Sequence, residues 1–319
     1  MIRLIHSTWK VKATLLALLV ATATLLTSCK KDDDNTVQPQ TITDVVVGNP
    51  NFSLLAAAVT RAGLADALRQ GSLTVFAPTN AAFQAAGFAD VAAINNTPIA
   101  TLQTVLQYHV LNQRVTAAAI PTAVNTAQPS LLTTNGTLYI TKDNSGVSVN
   151  GARVTQADLA ASNGVIHVID RVLLSPSGDL VALAQGNPNF TFLVAAVLRA
   201  GTPVVSALSG SNALTVFAPT NAAFQAAGFP TIASINAAAP ATLANILTYH
   251  VVPGRVFSTL VPNGTNVTTA QGTAVRTSVN GSNVTVLGNG NSNTAANVTQ
   301  ANLLATNGVI HVIDRVLLP

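Results

Sequence analysis

The chain has 319 residues, of which 49% are apolar and 8% are charged, a composition that supplies a buried core and excludes disorder over the whole length. All 11 acidic residues are aspartates, so acid–base or metal chemistry would draw on few groups. Of the 15 basic residues, three lie in the first 28 positions, and the remaining 12 nearly balance the 11 aspartates, which leaves no electrostatic footprint for binding nucleic acid.

The first 28 residues have the pattern of a secretory signal peptide. A basic start is followed by an apolar run over residues 13–26, which is too short to span a bilayer, and the sequence LTSC then ends in the only cysteine, Cys29. This ending resembles the lipobox of bacterial lipoproteins, and the resemblance implies cleavage before Cys29 and lipidation of its thiol. The alternative is an ordinary signal peptide with an incidental cysteine.

Residues 29–40 are mostly polar and contain a proline, which predicts a flexible tether after the lipidated cysteine. The lysines followed by three aspartates also resemble the export tag that sends some lipoproteins of Gram-negative bacteria to the outer face of the outer membrane. We therefore expect an outer-membrane lipoprotein at the cell surface that contacts the membrane through its lipid alone. A solvated linker without an export role is the alternative.

The rest of the chain consists of one unit that occurs twice. Four blocks recur in the same order, 138 to 144 residues apart: GNPNF at 48–52 and 186–190, LTVFAPTNAAFQAAGF at 73–88 and 214–229, YHV at 108–110 and 249–251, and NGVIHVIDRVLL at 163–174 and 307–318. A period of this length is too long for a solenoid repeat. It predicts two tandem globular domains, over residues 41–175 and 176–319.

Within each unit, helical patterns come first and strand patterns second. In the first unit, Phe52, Leu55 and Val59 have helical spacing after a possible cap at Asn51, and Gly63 ends the run. The segment LTVFAP is predicted as a strand, and an amphipathic helix is predicted before the YHV block. The second half, rich in Thr, Val and Asn, is predicted as short strands joined by turns. This order argues for an α+β fold with an antiparallel sheet.

The block NGVIHVIDRVLL holds a histidine and an aspartate in both units. Successive side chains of a strand point to opposite faces, so His167 and Asp170 point apart and cannot form a catalytic dyad within one regular strand. Both faces are mainly apolar, which predicts a central strand covered on both sides. We interpret His167, Asp170, His311 and Asp314 as structural polar residues, with Asp170 bound by backbone N–H groups or by an arginine.

Positions shared by the two units provide a test for catalysis. The shared positions with a carboxylate or a histidine are Asp170 with Asp314, His109 with His250, and His167 with His311. One shared carboxylate cannot supply a glycosidase pair, and the sequence has no GxSxG elbow, P-loop or dinucleotide fingerprint. Nothing in the spacing shows convergence on a metal. We predict no enzyme activity, catalytic residue, metal site or cofactor, although an active site in one unit only would escape this test.

Three blocks, TVFAPTNAAF, YHV and NGVIHVIDRVLL, resemble the fasciclin-like domain family in both units, and the resemblance covers nearly all of the chain after the tether. It implies a β-sandwich with a bundle of small helices in each unit, in a secreted or membrane-anchored protein. Because the tyrosine–histidine element is implicated in adhesion by animal relatives, the resemblance makes Tyr108, His109, Tyr249 and His250 candidates for a partner surface. The alternative is a structural hydrogen bond of His109 at the helix end, with Tyr108 packed beneath it.

The function expected from these observations is binding outside the cell. A lipid-anchored protein of this family would engage an extracellular protein or a polysaccharide of a matrix or cell surface, and two linked domains gain avidity if that partner is repetitive. The alternatives are an envelope-associated hydrolase or ligand carrier, and a purely structural envelope protein.

Overall fold

The computed structural model describes residues 39–319. The predicted signal peptide over residues 1–28, the predicted lipidation of Cys29 and nearly all of the predicted tether lie outside this range. Residues 40–319 form one compact unit. This unit contains two domains with the same order of strands and, apart from one additional helix in the second, the same order of helices.

The first domain begins with helices whose ends follow from local sequence. Its helices are α1 (Ile42–Gly48), α2 (Ser53–Ala62), α3 (Asn80–Ala85), α4 (Val91–Asn96) and α5 (Ile99–Tyr108). Helix α2 ends where predicted, at Gly63, whose φ of 70° lies in the left-handed region that favours glycine. The predicted cap at Asn51 is wrong, because the amide of Leu54 donates to Oδ1 of Asn80 at 3.0 Å.

The strands of the first domain form one seven-stranded sheet in the order β2-β1-β7-β6-β5-β4-β3. They are β1 (Leu73–Pro78), β2 (Val110–Leu111), β3 (Thr126–Pro129), β4 (Thr137–Asp143), β5 (Gly146–Val149), β6 (Ala152–Ala161) and β7 (Gly164–Ile169). All six residues of β7 are buried, so the prediction of a strand covered on both faces is confirmed.

The second domain repeats this arrangement. Its helices are α6 (Leu180–Gln185), α7 (Thr191–Ala200), α8 (Thr202–Ser209), α9 (Asn221–Ala226), α10 (Ile232–Ala237) and α11 (Pro240–Tyr249). Its strands are β8 (Leu214–Pro219), β9 (Val251–Pro253), β10 (Thr265–Thr268), β11 (Ala274–Asn280), β12 (Asn283–Leu287), β13 (Ala296–Ala305) and β14 (Gly308–Ile313). The eight-residue helix α8 replaces a single 3₁₀ turn, Ala67–Arg69, of the first domain.

One strand pair of each sheet is parallel, which corrects the expectation of an antiparallel sheet. Strand β1 runs parallel to β7, with Leu73 opposite Gly164, and β8 runs parallel to β14 in the same way. The other pairs are antiparallel. The parallel pairing is possible because helices and hairpins separate β1 from β7 in the sequence, and a parallel pair needs a long crossover connection.

Each sheet folds over itself to enclose a core. Each domain combines such a sheet with several helices, so the prediction of an α+β fold is confirmed. Strand β6 pairs with both β5 and β7 and contains two register shifts, which bend it. Side chains from both halves of the sheet, such as Phe76, Ile140 and Ile169, pack in one cluster. The amide of Leu131 donates to the carbonyl of Val110 at 2.8 Å, which nearly closes the sheet into a barrel.

Within residues 39–319, no single helix is both long and apolar enough to cross a membrane. Two bent helix pairs meet that length and composition only when counted together, Ile42–Gly48 with Pro50–Ala62 and Pro188–Ala200 with Thr202–Ser209.

Candidate functional site

The tyrosine–histidine element lies inside each domain. Tyr108 and Tyr249 are 0% exposed, and His109 and His250 are 2% exposed. The prediction of a partner surface at these four residues is therefore wrong. The physical reason is that the strands following each helix cover its end: in the first domain, the hydroxyl of Tyr108 donates to the carbonyl of Thr137 in β4 at 2.8 Å.

His109 joins the end of α5 to the last segment of the first domain. Its Nδ1 lies 2.7 Å from the carbonyl oxygen of Val105, and its Nε2 accepts the amide N–H of Leu173 at 2.9 Å. Because Nε2 accepts, the neutral ring carries its proton on Nδ1. His250 makes the equivalent bonds at 2.8 and 2.9 Å. Burial lowers the pKa of His109 and of His250 to about 4, so both rings are neutral near pH 7.

His167 and His311 join different parts of the backbone in the same manner. Nε2 of His167 lies 2.8 Å from the carbonyl of Val115, and Nδ1 accepts the amide N–H of Asp158 at 3.3 Å. The ring stacks on Phe76 with the centroids 5.6 Å apart. His311 repeats these contacts, and burial is the main cause that lowers its pKa to about 4. All the ring nitrogens of these four histidines thus lie within hydrogen-bond distance of backbone groups.

Asp170 and Asp314 lie one residue beyond the buried strands β7 and β14. Asp170 is half-buried, and its Oδ1 accepts the amide N–H of Arg153 at 2.8 Å. Asp314 is exposed and accepts the amide N–H and the side-chain Nδ2 of Asn297, at 2.8 and 2.7 Å. The partners of Asp170 differ from those of His167, so the two side chains do not form a dyad. Among residues 39–319, no three His, Cys, Asp or Glu side chains are grouped as metal ligands.

Sequence reasoning missed asparagines that connect distant parts of each domain. Oδ1 of Asn163 accepts the amide N–H of Ile42, and its Nδ2 donates to the carbonyl of Leu68, both at 2.8 Å. Asn307 makes equivalent bonds in the second domain. Asn80 similarly connects α3 to the start of α2. In the sequence, these asparagines could have been recognised because the same residue occupies the equivalent position of both units. They carry no charge and do not belong to a hydrophobic pattern, so nothing else marks them.

The two domains share an apolar core at their interface. Phe257, Leu304 and Val309 of the second domain are buried and pack in the same cluster as Leu138 and Ile140 of the first. Phe257 is 1% exposed, so its ring is withdrawn from water by the neighbouring domain as well as by its own. Burial of this kind stabilises one arrangement of the pair by roughly 1.5 to 3 kcal/mol for each large apolar side chain.

Polar contacts fix the orientation of the domains around this core. The guanidinium carbon of Arg255 lies 4.0 Å from the centroid of the Tyr139 ring. Nδ2 of Asn125 donates to the carbonyl of Arg255 at 2.6 Å, and the hydroxyl oxygens of Ser148 and Thr259 are 3.2 Å apart. These contacts are directional, so they restrict rotation of one domain against the other.

A cleft of about 740 Å³ lies between the two domains. The first domain contributes Ala85 of α3 and the segment that leaves β7, from Asp170 to Ser175, and Ser177 follows from the connection between the domains. The second domain contributes residues 282–284 and 298–304, from β12 and β13. A volume of this size falls within the range of about 300 to 1,000 Å³ that is usual for ligand sites, which often occur where domains meet.

The lining of the cleft is rich in uncharged polar side chains over an aliphatic base. Hydroxyl and amide groups are supplied by Ser175, Ser177, Ser282, Asn283, Thr299 and Gln300. Valine, leucine and alanine side chains supply the rest, and two adjacent residues of opposite charge, Asp170 and Arg171, stand in the wall. This lining can donate and accept several hydrogen bonds to a neutral ligand without imposing a net charge on it. The cleft is therefore the candidate functional site.

Comparison with known proteins finds relatives that share these domains. The chain is 28% identical over 249 residues to the transforming growth factor-beta-induced protein ig-h3 of Sus scrofa, covering 78% of this chain and 35% of that protein. It is 28% identical over 250 residues to human periostin, covering 78% of this chain and 29% of periostin. It therefore spans about a third of the length of these two relatives.

A bacterial relative and a solved structure are also similar. Immunogenic protein MPB70 of Mycobacterium bovis is 37% identical over 148 residues, which cover 45% of this chain and 70% of that protein. The structure of a domain pair from the insect cell adhesion molecule Fasciclin I covers 87% of this chain and 96% of its own, with 18% identity and a TM-score of 0.41. The fasciclin domain model matches residues 50–175 and 188–319, which together exceed half of the chain, and the protein therefore belongs to the fasciclin domain family.

Proposed function

We propose that the protein binds a neutral polysaccharide outside the cell, in the cleft between its two fasciclin domains, while a lipid on Cys29 holds it to the outer membrane. The observation that carries this proposal is the cleft lined by uncharged hydroxyl and amide groups. Sugar hydroxyls need such donors and acceptors, and an aliphatic base suits the C–H faces of a sugar ring.

The shared core of the domains supports the proposal. A cleft formed by two domains retains its shape only if the domains stay in one arrangement, and here Phe257 and Arg255 anchor the second domain to the first. A site that is already formed avoids the ordering of loops and side chains that weakens binding. The cleft is thus suited to recognise an extended partner without rearrangement.

The family supports a binding role. Fasciclin domains occur in adhesion-related proteins such as ig-h3, periostin and MPB70. The four shared histidines, which would be the natural proton carriers of an enzyme, are engaged by backbone groups in this protein. Both observations favour binding without turnover.

The binding test uses the purified full chain and polysaccharides that differ in charge. We expect neutral glucans or galactans to bind, and polygalacturonate to bind at least tenfold more weakly. Ala85 is exposed on α3 and lines the cleft, so Ala85→Trp should block it and weaken binding at least tenfold. The matched control is Ala226→Trp at the equivalent exposed position of α9, which lies away from the cleft and should leave affinity unchanged.

A second pair of variants tests the polar lining. Gln300→Ala removes one amide from the cleft and should weaken binding by about 2- to 10-fold, which corresponds to roughly 0.5 to 1.5 kcal/mol for one hydrogen bond. Gln156→Ala is the control, because Gln156 occupies the equivalent exposed position of β6. Equal affinity of Ala85→Trp and the wild type would show that the polysaccharide does not bind in the cleft. Release of sugar from the polysaccharide would show that the protein is a hydrolase. Binding of gelatin, with no binding of any polysaccharide, would identify a protein partner.

The anchor is tested separately. Cells fed an alkyne-bearing fatty acid should label the wild-type protein and leave the Cys29→Ser variant unlabelled, with the label recovered in outer-membrane fractions. Protease added to intact cells should degrade the protein if it faces outward. An unlabelled wild-type chain would contradict the proposed lipid anchor. It would not affect the proposal that the cleft binds a polysaccharide.

A further inference from the structure

Each domain contains an apolar cavity between its helices and its sheet, at equivalent positions, and each cavity is partly open to solvent. The first cavity lies beside α1, α2, α5 and β1 and has a volume of about 260 Å³. The second lies beside α6, α7, α11 and β8 and has a volume of about 80 Å³. Nine pairs of equivalent residues line both: Ile42 with Leu180, Val46 with Ala184, Leu55 with Leu193, Val59 with Val197, Leu68 with Leu208, Val75 with Val216, Leu106 with Leu247, His109 with His250, and Val110 with Val251.

The chemistry of the first cavity selects an uncharged apolar ligand. Its lining contains no Asp, Lys or Arg, and Gln107 and His109 are its polar members. Both ring nitrogens of His109 already face backbone partners, Val105 and Leu173. An ionic head group would lie there without a counter-charge, which is strongly unfavourable. The lining therefore matches a hydrocarbon chain.

The difference in volume has a structural cause. In the second domain, Val205 of α8 lines the cavity, whereas the equivalent residue of the first domain is the smaller Ala65, just before the 3₁₀ turn Ala67–Arg69. Helix α7 also places Val194 and Leu198 in the lining. The smaller residues Ala56 and Thr60 occupy the equivalent positions of α2. Larger side chains thus fill much of the second cavity.

The volumes decide which cavity can hold a ligand. An engineered apolar cavity of about 150 Å³ stays dry and binds benzene. The first cavity exceeds that volume and the second falls below it. We propose that the cavity of the first domain binds one hydrocarbon chain, and that the second domain retains a filled version of the same site. This site is independent of the polysaccharide cleft.

Two sources could supply the chain, a free uncharged lipid or the acyl group on Cys29. Helix α1, which contributes Ile42 and Val46 to the lining, is the first helix after Cys29 among the described residues. The two sources share one chemistry, and a comparison of lipidated protein with the Cys29→Ser full chain separates them.

The test is calorimetric titration of the Cys29→Ser full chain with 1-octanol. We expect saturable binding of one molecule, and octanoate at pH 8 should bind at least tenfold more weakly because its charge has no partner. Ala67→Phe places a ring in the first cavity from an exposed position and should weaken octanol binding at least tenfold. Ala207→Phe, at the corresponding exposed position of α8, is the matched control and should bind as the parent does.

A second variant guards against misfolding at residue 67. Leu131→Gln introduces an amide at a lining position that is 38% exposed, and it should also weaken octanol binding while thermal unfolding stays cooperative. Absence of saturable binding, or full binding by both variants, would overturn the proposal. If the lipidated wild type fails to bind octanol while Cys29→Ser binds it, the acyl group is the occupant. Equal binding by the two would exclude the acyl group as the occupant and leave a free uncharged lipid as the source of the chain.

Discussion

The guanidinium of Arg255 lies over the ring of Tyr139, with 4.0 Å between its carbon and the ring centroid, and this contact joins the two fasciclin domains. Burial lowers the pKa of Arg255 from its usual value, yet the group stays charged at any physiological pH. The ring of Tyr139 also lies 6.3 Å from that of Phe257. A cation, two aromatic rings and an aliphatic core thus form a single interface.

The interface predicts that Phe257→Ala separates the unfolding of the two domains. Removing this buried ring should lower the free energy of unfolding by about 3 to 5 kcal/mol, since it leaves a cavity in a core shared by both. Scanning calorimetry of the variant should show two transitions where the wild type shows one. Thr116 occupies the equivalent position of the first domain, and Thr116→Ala should unfold as the wild type does. A single transition in Phe257→Ala, close to that of the wild type, would contradict a shared core.

The buried histidines predict loss of stability in mild acid. Burial holds the pKa of His109, His250 and His311 at about 4, whereas an unperturbed histidine titrates near 6.5. Between these values the unfolded chain binds protons that the folded chain does not. Their contribution to stability is therefore complete above pH 6.5 and is lost as the pH falls toward 4.

The measurement is urea unfolding at pH 7 and at pH 4.5. We expect the free energy of unfolding to fall by several kcal/mol, with roughly 2 to 3 kcal/mol from each of the three histidines. His109→Gln should be less stable than the wild type at pH 7 but should lose less on acidification, because one titrating group is gone. Identical stability of the wild type at the two pH values would show that these rings are not buried as neutral groups.

The glycine that begins β7 and β14 lies too close to neighbouring backbone to be replaced by a residue with a side chain. A Cβ at Gly308 would collide with the carbonyl oxygen of Leu214 and lie 2.9 Å from Cδ1 of Leu180. Backbone cannot yield cheaply, so Gly308→Ala should lower the free energy of unfolding by about 3 kcal/mol or more. Gly48→Ala is the control, because no atom lies within 4 Å of the added methyl group. Thermal melts of both variants check the difference, and equal melting temperatures would refute the close approach.

Replacing Asp170 is expected to destabilise the protein less than replacing a fully buried charged residue would. Its side chain is half-buried and accepts the amide N–H of Arg153, so Asp170→Ala should lower the free energy of unfolding by about 1 to 2 kcal/mol. Asp170→Asn, which retains an acceptor oxygen, should recover part of the loss. Chemical denaturation of the two variants measures the free energy of unfolding. If Asp170→Ala lowers this free energy more than Phe257→Ala does, Asp170 has further partners.

The sequence predicted the environment of His167 correctly but not that of Tyr108 and His109. Repetition of NGVIHVIDRVLL predicted the family, and the apolar residues on both sides of His167 predicted a strand covered on both faces. The same alternation could not say which strand would pair with it, and the parallel partner β1 was missed. The Tyr108–His109 element was misplaced because its exposure depends on β4, which follows it in the sequence and folds over it.

The sequence by itself determined the duplicated unit, the family, the order of helices before strands and the end of α2 at Gly63, because these depend on local periodicity and on the backbone freedom of glycine. Only the tertiary structure decided that Phe257 enters the core of the other domain, that Ala85 faces a cleft while Ala226 does not, and that the first apolar cavity is larger than the second. These outcomes depend on packing between residues that are far apart in the chain, and two nearly identical segments can therefore meet different surroundings.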